Sequence, residues 1–170
     1  QDGDTANGAE RLTWTVLDIS EGRALLLCDV CVDAKPYNSS GGGSAWEDST
    51  LRQWLNSDFI FSAFSANEQK ILSETEVTTT QLLQSEEGTV TFGEETVTVD
   101  RVFLPDSYGA WSSTAYGEMV PAGKFELTDY VAEKFETLNR DANWIDEFSP
   151  AFWTRGPVGE DHAFALGWDR

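Results

Sequence analysis

Reactive side chains are scarce in this 170-residue chain, which holds one histidine, two cysteines and one methionine. A Ser-His-Asp centre could only be built on His162, and no G-x-S-x-G elbow accompanies it. Basic residues are few as well: 11 Lys and Arg stand against 30 Asp and Glu, for a formal net charge of -19. A charge of that size repels phosphate backbones and anionic lipid, so nucleic acid is not an expected partner. Long apolar runs are missing too. The longest compact one, Ala24–Cys28, suits a buried strand and falls far short of the ~20 residues of a membrane span, so no membrane insertion is expected. There is no phosphate-binding P-loop, no dinucleotide fingerprint and no repeat of fixed period.

What the chain has in quantity is aromatic: 7 Trp, 10 Phe and 4 Tyr within a 40% hydrophobic composition. That composition belongs to a folded globular protein, and at this length ~70% of the unfolded surface can be buried. The opening residues, Gln1 to Ala9, are mostly small and polar and read as a tail left by a removed signal or by fragmentation. Asp2–Gly8 does not make a calcium loop, because its fifth position is Ala6 and its twelfth is Thr13 in place of Glu. No stretch within residues 10–170 is a linker long enough to divide domains, so one domain is expected over residues 11–170 after a flexible tail at 1–10.

Cys28 and Cys31 lie in one strand-like run, where i and i+3 point to opposite faces ~10 Å apart along an extended chain. A mutual disulfide is not expected at that separation, and a zinc site lacks two further ligands, so both are read as buried structural thiols.

Leu12–Leu17 and Arg23–Val32 flank the turn residues of Asp18–Gly22 and predict an N-terminal β-hairpin. The glycine-rich loop Pro36–Ser44 is expected to be mobile. Asp48 or Ser49 can cap a helix whose Leu51, Trp54, Leu55 and Phe59 share one face. Ser65 and Glu68 form a capping box ahead of Ile71 and Leu72 in a second helix. Alternation in Thr89–Gly93 and Thr96–Val99 around Glu94-Glu95 predicts a hairpin folded as a surface excursion. Residues 109–123 read as irregular, and a third helix follows Thr128 with Leu127, Tyr130, Val131, Phe135 and Leu138 on one side.

In order along the chain stand Trp14-Thr-Val-Leu17, Ala24-Leu-Leu-Leu27, Pro36-Tyr-Asn38, Trp46-Glu47, Ser49-Thr-Leu-Arg52, Trp54-Leu-Asn56, Asp100-Arg-Val-Phe-Leu104, Thr128-Asp-Tyr-Val-Ala132 and Phe152-Trp-Thr-Arg-Gly-Pro157. Together they resemble the bacterial domain-of-unknown-function family numbered 6273, common in extracellular and surface-anchored proteins of anaerobic gut bacteria. The resemblance covers roughly residues 12–170, and its most specific element is the ungapped S-T-L-R-x-W-L-N block of Ser49–Asn56. Where the family usually shows W-L-R-S-P, this chain has Trp153-Thr-Arg-Gly-Pro157, and it stops at Arg170 without the further closing strand usual in the family.

The family's layout is similar to C-type-lectin-like and formylglycine-generating-enzyme-like domains. The expected fold is therefore α+β, a single C-type-lectin-like domain with an N-terminal β-hairpin, two to three amphipathic helices and long irregular loops. The formylglycine-generating chemistry does not transfer, because it uses cysteines of the C-terminal half. The lectin resemblance implies calcium, but Leu104-Pro-Asp106 and Trp144-Ile-Asp146 each lack a donor of the lectin triplets, so no metal or other cofactor is assigned.

Among 30 carboxylates, pairs such as Asp141 with Asp146 or Glu147 arise by chance and do not make a glycosidase. Trp14, Trp46, Trp54 and Trp153 fall within predicted elements and are expected in the core. Tryptophan offers large contact area at low entropic cost. The candidate ligand contacts are Trp111, Tyr116, Trp144, Arg155, His162 and Trp168, with Arg52 and Arg155 alternatively serving as internal charge partners. The resulting expectation is a non-catalytic recognition or adhesion module at the bacterial cell surface that binds a carbohydrate or protein through aromatic-rich loops. A hydrolytic enzyme domain and a structural spacer are the alternatives.

Overall fold

The structure, a computed structural model, describes residues 8, 10–39, 43, 45–85, 87, 89–106, 126–134, 151–158 and 162–167; for 126, 151, 152, 158 and 162–167 it describes the backbone alone. The architecture is mixed α+β. The chain divides into two compact units, one from Gln1–Lys35, Pro121–Pro150 and Trp168–Arg170, the other from Pro36–Val120 and Ala151–Gly167. Among the described residues no helix is long and apolar enough to cross a membrane.

In the first unit, strands β1 (Trp14–Ser20) and β2 (Arg23–Cys28) form the expected antiparallel hairpin. The first strand continues past Leu17 to Ser20, and the connection shrinks to Glu21 and Gly22, with φ of 52° and 75°. Two successive left-handed residues make the turn whose twist matches the paired strands, at a steric cost for Glu21 that glycine would not incur. The Arg23–Val32 run is not one strand. It bends at Asp29, whose N–H bonds the Thr13 carbonyl, and resumes as β3 (Val30–Cys31), paired in parallel with β6 (Glu126–Leu127). Residues 129–134 then form a helix, α4. Its buried Thr128 is the cap, with Oγ1 accepting from the Val131 N–H at 3.3 Å. Val131 is buried as expected but Tyr130 is exposed, and Phe135 and Leu138 lie outside the described residues. Lys134 donates to Asp33 and so ties α4 to the segment after β3.

The second unit opens with a helical turn, Trp46–Asp48, followed by α1 (Thr50–Trp54), a wide π turn (Leu55–Phe59) and α2 (Ile60–Ala63). Ser49 is the N-cap, its Oγ accepting from the Arg52 N–H at 3.0 Å. The buried positions Leu51, Leu55 and Phe59 recur every four residues, a spacing that the wider turn keeps on one face and extends to Ile60. The capping box of the second helix forms, with Glu68 Oε2 accepting from the Ser65 N–H at 2.7 Å. Yet this helix, α3 (Glu68–Ile71), lasts one turn and leaves Ile71 77% exposed.

Strand β4 (Thr75–Gln84) pairs with β5 (Val90–Asp100) in a four-stranded sheet ordered β5-β4-β7-β8, where β7 is Ala151–Val158 and β8 is His162–Gly167. This corrects the expected excursion: the chain does not turn at Glu94-Glu95 but runs straight through it, and the turn lies between β4 and β5. The break in alternation at Gly93-Glu94 is a bulge opposite Gln81, and a Cβ on Gly93 would approach Gln81 Oε1 to 2.6 Å. The buried side chains of this unit include Tyr37, Trp46, Leu51, Leu55, Phe59, Ile60, Val77 and Leu82. Tyr37 packs its ring 5.7 Å from that of Trp153 and 6.4 Å from that of Trp46, so the expected mobile loop begins with an anchored residue.

Candidate functional site

The Ser49–Asn56 block and the end of β5 meet in a polar clamp. Arg52 and Asn56 stand one helical turn apart, on the side of α1 that meets Asp100–Val102. The Asp100 side chain is fully buried. Its Oδ1 accepts from Arg52 Nε at 2.7 Å, and its Oδ2 accepts from Trp46 Nε1 at 3.0 Å and Thr98 Oγ1 at 2.7 Å. Arg52 also donates to the carbonyls of Glu47 at 2.9 Å and Val99 at 3.4 Å. Asn56 accepts from the N–H groups of Arg101 at 2.8 Å and Val102 at 3.2 Å, and donates to the carbonyls of Val102 at 2.9 Å and Arg52 at 3.1 Å. A carboxylate can be buried only when its oxygens are met in this way.

A second cluster gathers around Arg155. Trp153 pairs with Ala165 and Pro157 with Ala163, so Thr154, Arg155 and Gly156 face one residue of β8 and bulge out of the ladder. The bulge frees the Arg155 N–H to bond the Pro105 carbonyl at 2.9 Å. The guanidinium, in a residue 7% exposed, donates to Thr79 Oγ1 at 3.3 Å, to the Thr78 carbonyl at 2.9 Å and to the Leu104 carbonyl. It also lies 3.9 Å from Asp106 and 5.5 Å from the Phe103 ring centroid. The Tyr37 hydroxyl donates to the Arg155 carbonyl at 3.3 Å. Burial pushes the Tyr37 phenol up, against the opposing influence of a hydrogen bond with Ser49 and the charge of Arg155. Among the described residues no buried side-chain nitrogen or oxygen lacks a hydrogen-bond partner.

Of the six candidate contacts, Trp111, Tyr116, Trp144 and Trp168 lie outside the described residues. His162, expected in a turn-like acidic loop, is the first residue of β8 and pairs with Val158; strand pairing with β7 extends the backbone there. Arg155 has the internal role that the sequence held open, and so has Arg52. Asp106, in the incomplete lectin triplet, faces the Arg155 guanidinium, a cation already supplied by the protein. Among the described residues no group of three His, Cys, Asp or Glu side chains could hold a metal ion.

The sequence reading missed Asp100, the carboxylate shared by Arg52 and Trp46, and Asn56, which donates to the Arg52 carbonyl. The available signal was the i, i+4 spacing of Arg52 and Asn56, which places both on one side of a helix. Trp14, expected in the core, is 36% exposed. It shares a face of the hairpin with Val16, Ile19 and Leu26, as the pairing of Val16 with Leu26 and of Ile19 with Ala24 requires. Both cysteines are free and half-buried. Burial, with a smaller contribution from the charge of Cys28, raises Cys31 to about 11, and burial is also the main cause of the upward shift at Cys28.

No curated protein and no solved structure matches the chain. The model of the family described as "Domain of unknown function (DUF6273)" matches residues 21–166, a span that takes in the whole clamp and the Arg155 bulge; the chain belongs to that family.

Proposed function

We propose that this domain is a non-catalytic recognition or adhesion module of the bacterial cell surface, C-type-lectin-like in fold, which binds a carbohydrate or protein ligand through aromatic-rich loops. The observation that carries this reading is the use to which the polar side chains are put. Ser49, Arg52, Asn56, Thr79, Thr98, Asp100 and Arg155 bond to one another or to backbone, and so form a frame. Arg155 grips the carbonyls of Thr78 and Leu104 and thereby fixes the segment Leu104–Asp106. A rigid scaffold carrying loops of different composition is a common arrangement in binding modules. Residues 107–125 contain Trp111 and Tyr116, and Trp144, His162 and Trp168 are the further contacts assigned to the ligand. Indole and phenol rings supply large, stiff contact area for sugar faces or protein side chains.

The test is binding to a glycan array and to surface extracts, with the wild type beside Trp111→Ala and Trp168→Ala. The reading expects binding by the wild type, and loss of at least tenfold in both variants with an unchanged unfolding midpoint. Unaltered binding by both variants would overturn the loop assignment. Turnover of a glycan or peptide, abolished by His162→Ala, would overturn the non-catalytic reading.

A further inference from the structure

We draw no further inference here: the strongest candidate, the exposed apolar face of the β1–β2 hairpin formed by Trp14, Val16, Ile19 and Leu26, carries none because nothing in the structure shows what covers it.

Discussion

Trp46 and Trp14 are the same residue type in opposite circumstances. Trp46 is 1% exposed, packs against Tyr37 and donates its indole N–H to a buried carboxylate. Trp14 sits on a two-stranded hairpin, 36% exposed, on a face whose Ile19 is 73% exposed. In the unit built on α1 and β5, apolar burial and polar pairing occur together, because Trp46 and Arg52 donate to the carboxylate that ends β5. In the hairpin, Val16, Ile19 and Leu26 of one face are exposed. The same side chain is thus buried in one unit and exposed in the other, which a count of tryptophans cannot reveal.

Substitutions in the two regions should separate accordingly. Trp46→Ala removes a large buried side chain and orphans one Asp100 oxygen contact, and should cost about 3–5 kcal/mol by chemical denaturation; Trp14→Ala should cost about 1 kcal/mol or less. Equal losses would erase the contrast. Next in size, Asn56→Ala deletes four hydrogen bonds and leaves two backbone N–H groups to find water, for about 1–3 kcal/mol. Ser49→Ala, which removes the helix cap together with the hydrogen bond to the Tyr37 phenol, should cost about 1–2 kcal/mol. On the hairpin the sign reverses: Glu21→Gly relieves a left-handed glutamate, and should be neutral to stabilising by about 1 kcal/mol despite the added freedom of the unfolded chain.

A pH-dependent effect concerns the thiols. Because Cys31 is raised to about 11, with an ordinary value of 9.0, its protonated form is favoured by the fold. The corresponding stability is complete below pH 9 and is lost as pH rises toward 11. Iodoacetamide labelling followed by mass spectrometry should find Cys31 slow at pH 8 and accelerating up to about pH 11. Rapid labelling at pH 8 in the folded protein would contradict its burial.

The local signals in the sequence translated well. Ser49 caps, Ser65 and Glu68 box, Thr128 caps, and the first hairpin forms, because each depends on residues within a few positions of one another. What was not legible depends on distant pairing. The alternation on either side of Glu94-Glu95 is equally consistent with two short strands or one long bulged strand, and only β4 as partner decides between them. Asp100 is one of 30 acidic residues, and nothing near it in sequence announces that Trp46 and Arg52 will close over it. The bend at Asp29 likewise depends on Thr13 and β6, so the single strand drawn through both cysteines was too long. For the candidate contacts, the sequence identified Arg155 as either a ligand residue or an internal partner, and the bulge in β7 supplies the geometry of the second.

Arg52, from the Ser49–Asn56 block, and Asp100, at the end of β5, join the two elements into one frame. A double-mutant cycle on Arg52→Ala and Asp100→Ala, followed by urea unfolding, tests it most directly. A coupling of about 1–3 kcal/mol between the two sites is the predicted result, whereas losses that add to within about 0.5 kcal/mol would contradict the clamp.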